Sequence, residues 1–225
     1  MPQRVQKLLS NAGYTSRRDA EKLIEEGRVS VNGDAVTLGD KATRQDTIRV
    51  DNEPVEFDDP IYLAFHKPPN VLSTLNPVSN RESLPDYLEH VEERVYPAGR
   101  LDYDAEGLII LTNDGDFANT VMHPSHEKQK TYKVTVNKPF RPPYPPHTVE
   151  LEDGPVTLNN IQKTGRDTYL VTIHEGRKHI VKRIIQSFNR SVTRLVRTRI
   201  GPVQLDIAEG ETRDLTKDEV EGLQT

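Results

Sequence analysis

The chain has 225 residues, of which 34% are apolar and 29% charged, with 13 glycines, no cysteine and a net charge of −5. That length suits two domains, one of about 150 residues or more and one smaller, and the composition excludes a disordered chain. Without cysteine there are no disulfides, thiolate metal sites or cysteine nucleophiles. No stretch approaches the ~18 apolar residues of a membrane span, and the first residues, MPQRVQKLLSNAG, lack the apolar run and cleavage site of a signal peptide. A cytoplasmic protein without membrane contact is expected.

In chain order, RVQKLLSNAG puts Val5, Leu8, Leu9 and Ala12 on one helical face and ends at Gly13. TSRRDAEKLIEEG begins a second helix, with Thr15 or Ser16 as N-cap and Asp19 three residues after Ser16. Ala20, Leu23 and Ile24 share its apolar face, and Gly27 stops it. VSVNGDAV then reads as a hairpin around Asn32 and Gly33. These elements make a small domain over residues 1–55 that is marginal by itself. The stretch from Arg4 to Gly33 resembles the alpha-L RNA-binding motif of the ribosomal protein S4 type. The resemblance implies that Arg4, Lys7, Arg17, Arg18, Lys22 and Arg28 face phosphates, with Glu21, Glu25 and Glu26 diluting the charge.

DNEPVEFDDP, residues 51–60, is acidic and ends in proline, which predicts a linker, with 56–60 dividing the domains. A second domain over 61–225 follows. IYLAFHKPPNVLSTLNP predicts a strand, a turn at Lys67–Asn70 and a second strand. GLIILTND predicts a buried strand, GDFANTVMH a helix, and KTYKVTV a strand with Tyr132, Val134 and Val136 on one face. NKPFRPPYPPH, with five prolines in eleven residues, predicts an extended surface connection. Strands at 148–151, 155–162 and 168–174 come next, then RKHIVKRIIQSF as a helix with Ile180, Ile184 and Phe188 inward, and VTRLVRTRIGPVQL as one or two closing strands. The fold class expected is α+β: a helix–helix–hairpin RNA-binding domain, then a mixed, mostly antiparallel sheet with flanking helices.

Metal is not expected: the one histidine pair with suggestive spacing, His123 and His126, is interrupted by a proline and lacks a third ligand. Charge is uneven, because residues 163–199 carry ten lysines and arginines against two carboxylates, a net +8. A basic stripe on an acidic chain is the footprint of a polyanion site.

GRLDYDAEGLIILTND sets Asp102, Asp104 and Glu106 against a buried strand. YPAGRLDYDAEGLIILTNDG, KTYKV, EGRKHIVKRI and RLVRTRIGP occur in the order found in the RsuA-like family of RNA pseudouridine synthases, which this chain resembles over residues 61–206. The resemblance implies isomerisation of uridine to pseudouridine in a structured RNA, most often ribosomal, without cofactor. It puts Asp102 at the catalytic carboxylate, as nucleophile or as base in a glycal route. Tyr132 falls at the residue packing on the flipped base, and Lys182 at the cation compensating the carboxylate. Asp104 and Glu106 are then loop-stabilising or solvated. Arg177, Lys178, Arg183 and Arg197 are expected at the RNA backbone, and Arg100 in the gap left by the flipped nucleotide or on phosphate, with Leu101 beneath. Two departures from the family pattern, Ile180 for glutamine and Asn70 for glycine, bear on RNA contacts and turn shape. The expected partner is RNA, ribosomal or in an assembly intermediate, bound by a monomer. A non-catalytic RNA-binding protein on the same fold and a glycosidase-like hydrolase are the alternatives; the intact triad opposes the first and the clustering of carboxylates in one loop the second.

Overall fold

The computed structural model describes residues 2–77 and 80–225, which separate into two compact units. The first comprises Met1–Ile61, Glu92–Val95 and Asn113–Gly115. Its elements are β1 (Gln3–Arg4), α1 (Val5–Asn11), α2 (Arg17–Glu25), β2 (Val29–Val31), β3 (Asp34–Ala35), β4 (Lys41–Ala42), β5 (Ile48–Val50) and β6 (Glu53–Pro54). Ser16 caps α2: its Oγ accepts from the Asp19 amide at 3.2 Å and donates to the Asp19 carboxylate at 2.7 Å. Asn32 and Gly33, at φ +53° and +97°, give the hairpin turn its left-handed conformation. Val5, Leu8, Leu9, Ala20, Ile24, Val29, Ile48 and Val50 bury one core, the valines, leucines and isoleucines contributing ~1.5–3 kcal/mol each. The predicted linker is corrected in its first half. Asp51 and Asn52, residue types that tolerate positive φ, turn the chain so that Glu53–Pro54 pairs with Arg49–Val50. Within this unit the Asn113 side chain accepts from the Ile61 amide and donates to the Asp59 carbonyl, both at 2.9 Å.

The second unit comprises Tyr62–Val91, Tyr96–Thr112 and Asp116–Thr225. Its strands are β7 (Tyr62–Lys67), β8 (Tyr96–Ala98), β9 (Glu106–Thr112), β10 (Lys130–Val136), β11 (His147–Leu151), β12 (Gly154–Leu158), β13 (Asn160–Lys163), β14 (Thr168–Ile173), β15 (Val192–Ile200), β16 (Val203–Gln204) and β17 (Thr212–Asp214). Its helices are α3 (Gly115–Met122, whose first residue belongs to the other unit), α4 (Ile180–Ser187) and α5 (Lys217–Gln224). The central sheet runs β13-β14-β10-β15-β9-β7-β17, with β8 on β9 and β16 on β15. Pairing is antiparallel except between β9 and β15, which run parallel. The plan is the expected α+β one.

Three predicted elements change. The second strand after Asn70 shrinks to one bridge between Leu72 and Ser83, because Ser73 is tied elsewhere: its Oγ donates to the Leu101 carbonyl at 2.8 Å and accepts from the Leu101 amide at 3.1 Å. The strand expected over 155–162 breaks at Asn159, so β12 pairs with β11 while β13 joins the central sheet. The helix expected from Arg177 begins at Ile180, since His179 sits at φ +53° and cannot be helical. The proline tract has no regular structure; Phe140 anchors it, stacked on Tyr169 and Phe188 at centroid distances of 4.5 and 5.2 Å. The elements β17 and α5 add to those expected from sequence, although Thr216 and Glu219 form a capping box that TKDE announces.

Candidate active site

Packing and hydrogen bonds, rather than regular structure, hold the loop that carries Asp102. The Lys67 ammonium, buried under it, donates to the carbonyls of Pro68 and Val71 at 2.8 Å and of Tyr103 at 3.3 Å. The Asn70 amide adds a bond to the Tyr103 carbonyl at 2.8 Å. Asn70 itself stands at φ +60°, a conformation that asparagine tolerates better than most residues other than glycine, so this departure from the family pattern preserves the turn. Desolvation pushes the Lys67 ammonium down to about 8, against the pull of Asp104, Asp102 and Glu106. Leu101 is buried beneath the loop, and Arg100 is exposed beside it.

Asp102, its side chain about one quarter exposed, lines a cavity of about 840 Å³ in the second unit. Lys182 Nζ lies 3.7 Å from its Oδ2 and His179 Nε2 lies 3.5 Å from its Oδ1. Lys182 makes its shorter contact with Asp104, at 2.5 Å, and that bond holds the Asp104 carboxyl below the usual carboxylate range. The lysine therefore serves both carboxylates, and Asp104 is not simply solvated. Glu106 is not solvated either: it is buried at the start of β9 and accepts from Arg194 at 2.6 Å.

Tyr132 is buried and lines the same cavity, as do Arg100, Arg177, Lys178, Ile180 and Arg197. Ile180 turns the glutamine position of the family into apolar wall. The structure does not gather the +8 segment into one stripe. A bulge between Thr131 and Tyr132 puts Arg197 opposite Tyr132 and Arg199 opposite Thr131, so Arg197 lines this cavity and Arg199 a cleft that does not include Asp102. Arg177 donates to Glu175 at 2.6 Å and Asp153 at 2.8 Å, and to the carbonyls of Asp153, Gly154 and Pro155. Arg183 is bound to the same Asp153 carboxylate; Arg183 and then Arg177 hold that carboxyl down at about 2. These two arginines tie the β11–β12 turn to the approach to α4 through Asp153. Lys178 stays exposed.

In the first unit Arg4, Arg17 and Arg18 are exposed and Lys7 is half-buried. Arg28 is committed to Asp51 and Glu26, and Lys22 to Asp19, which leaves less basic surface than the residue types suggested. His123 caps a short turn, accepting from the Ser125 amide at 3.2 Å.

Sequence reasoning missed His179, Lys67 and Lys130, the last a buried lysine on the cavity wall. His179 and Lys130 lie inside the motifs RKHIV and KTYKV, and nothing in residue type separates them from surface charges.

Residues 61–187 match the RNA pseudouridylate synthase family, and residues 3–56 match the S4 domain. The chain is 41% identical to an RNA pseudouridine synthase of Aquifex aeolicus named as uncharacterized, over 98% of this chain and 93% of the relative. It is 39% identical to ribosomal large subunit pseudouridine synthase B of Bacillus subtilis, over 98% and 95%. A crystal structure of a pseudouridylate synthase superposes with a TM-score of 0.72 at 30% identity, covering 98% of this chain and 99% of that one.

Proposed function

The chain belongs to the RNA pseudouridylate synthase family and carries an S4 domain, and from that premise we propose that it isomerises a uridine of ribosomal RNA, with Asp102 as the reacting carboxylate. One observation carries the residue assignment: Asp102, His179 and Tyr132 line a single cavity, with His179 3.5 Å from the Asp102 carboxylate, and Lys182 lies 3.7 Å from the same carboxylate. Moving C1′ of the ribose from N1 to C5 of the base changes no atoms overall and consumes no energy source. It needs an ionised carboxylate at the sugar, either at C1′ as nucleophile or at the C2′ proton as base. Lys182 offsets the charge of that carboxylate in a site from which bound RNA excludes water, and the His179 imidazole stands beside its other oxygen. The Tyr132 ring holds the extruded base by stacking worth about 1–3 kcal/mol.

The S4 domain anchors the enzyme on a structured region near its target, and the ribosomal choice is supported by the names of the relatives. Among the described residues no helix is long and apolar enough to cross a membrane, which suits action in the cytoplasm. The test is chemical mapping of pseudouridine in large-subunit ribosomal RNA treated with wild type, Asp102→Asn or Asp104→Asn. Wild type and Asp104→Asn form pseudouridine, and Asp102→Asn forms none while binding RNA within a few-fold of wild type. Turnover by Asp102→Asn would remove it from the chemistry. Unmodified RNA with wild type would favour a binding protein, and released uracil a hydrolase.

A further inference from the structure

Two buried cations line the cavity that none of these roles uses. Arg197, 3% exposed, stands opposite Tyr132 in the β10–β15 ladder. Its Nε donates to the Leu108 carbonyl at 2.7 Å and its Nη1 reaches the Arg100 carbonyl at 3.5 Å, while Nη2 is buried with no hydrogen-bond partner in the protein. Lys130, 8% exposed, lies two residues before Tyr132 on the same face of β10, and its Nζ bonds the Lys128 carbonyl at 3.2 Å. Burial, and then the nearby guanidinium, push its ammonium down to about 8. A buried donor without an acceptor costs ~1–3 kcal/mol, and two desolvated cations side by side repel. Oxygens bearing negative charge would relieve both.

We infer that Arg197 and Lys130 form an oxyanion subsite that holds the carbonyl oxygens of the uracil ring after it leaves the sugar. The inference rests on the uridine-isomerising reading of this cavity. When the C1′–N1 bond breaks, its electron pair goes to N1 and spreads to O2 and O4. In the same step Asp102 bonds to C1′ or takes the C2′ proton. The N–H donors meet the charge on O2 or O4 where it develops, which lowers the barrier to departure. C5 then bonds to C1′, the carboxylate is released or the C2′ proton returned, and the resulting neutral ring becomes pseudouridine when its C5 proton is lost and N1 gains one in exchange. Depth and register select the ring over a backbone phosphate. Arg197 is nearly fully enclosed and sits across from the stacking tyrosine, whereas the exposed Arg100 and Lys178 on the cavity wall suit a hydrated phosphodiester.

The experiment measures single-turnover rates at saturating RNA for wild type, Lys130→Met and Arg197→Lys. The probe is a large-subunit ribosomal RNA transcript holding the uridine that wild type modifies, made once with uridine and once with 5-fluorouridine. Fluorine at C5 makes the departing ring a weaker base that needs less help. On uridine, Lys130→Met loses about 100-fold in rate, the usual scale for one preorganised donor, and binds RNA within about twofold of wild type. On 5-fluorouridine, followed by its disappearance from nuclease digests, about tenfold or more of that loss is recovered. Arg197→Lys behaves alike; if it fails to fold, Lys130→Met carries the test, since methionine fills the same space without a charge. Equal losses on both RNAs would overturn the subsite. So would weaker binding with an unchanged saturating rate and a shallower salt dependence, which would assign the cations to backbone phosphate. A wild type that leaves the uridine transcript unmodified would overturn the isomerase reading itself, whatever the variants do.

Discussion

Lys182 contacts both Asp102 and Asp104, and Lys67 and Lys130 are ammonium groups enclosed by the fold. Burying a lysine depresses its proton affinity, and that depression is also a statement about stability. The Lys130 ammonium titrates near 8 in the folded chain against an ordinary 10.5. Between those values the unfolded chain holds a proton that the folded chain does not, so folding gains stability as pH rises. The penalty for Lys130 is complete below pH 8 and disappears as pH approaches 10.5. Lys130→Met removes it. The variant should therefore be more stable than wild type near neutrality by up to ~3 kcal/mol, with the gap mostly closed at about pH 10. Urea unfolding of both proteins at the two pH values checks this; a gap that does not change with pH would show that Lys130 is not desolvated as its burial implies.

Among the elements, the parallel seam between β9 and β15 brings the loop after Arg100 against the strand that carries Arg197. It closes only because residue 107 is glycine. Gly107 stands at φ +111°, and a Cβ there would collide with the backbone of Arg197. Gly107→Ala combines a left-handed backbone with overpacking, and should cost about 2–4 kcal/mol and lower Tm markedly. A variant within ~0.5 kcal/mol of wild type would mean that the seam opens without cost. The β11–β12 hairpin acts at a distance in a similar way. Asp153, in its turn, grips Arg177 and Arg183, and between these arginines lie His179 and Lys182. Asp153→Asn should loosen that segment and slow the saturating rate by about tenfold, with RNA binding unchanged or slightly stronger because two arginines gain freedom. A wild-type rate would show that the segment is held by α4 alone.

For the whole molecule, the chain packs as two separate compact units, and the proposed function assigns RNA anchoring to the first and chemistry to the second. Exposed Arg17 and Arg18, at the start of α2, are surface cations of the S4 domain that no ion pair ties to an acidic partner among the described residues. In the intact chain, Arg17→Glu with Arg18→Glu should raise KM on long RNA by tenfold or more and leave the rate at saturation within about twofold. The slope of log affinity against log salt should flatten by about 1 to 2, since each phosphate that is no longer neutralised lowers it by close to one unit. An unchanged slope would place the anchoring charge elsewhere.

Periodicity, caps and turn residues are local enough to be read directly. Ser16 with Asp19, the Asn32–Gly33 turn, the seven buried residues of β9 and the alternation of β10 all follow from neighbours in sequence. The GRLD and KTYKV motifs likewise put Asp102 and Tyr132 forward, and the fold brings both to one cavity. Long-range pairing decides the rest. Whether a charge is a ligand contact or a staple depends on what the fold brings to it: Asp153 captures Arg177 and Arg183, and Glu106 captures Arg194. A one-residue bulge in β15 sends Arg197 and Arg199 to different faces. The same +8 segment that reads as one stripe in sequence is thus dispersed in space, because side-chain direction in a sheet reverses with each added residue. The burial of Lys67 and Lys130 is invisible to composition for the same reason. A lysine's surroundings are set by strands far away in the chain, and only their packing removes it from water.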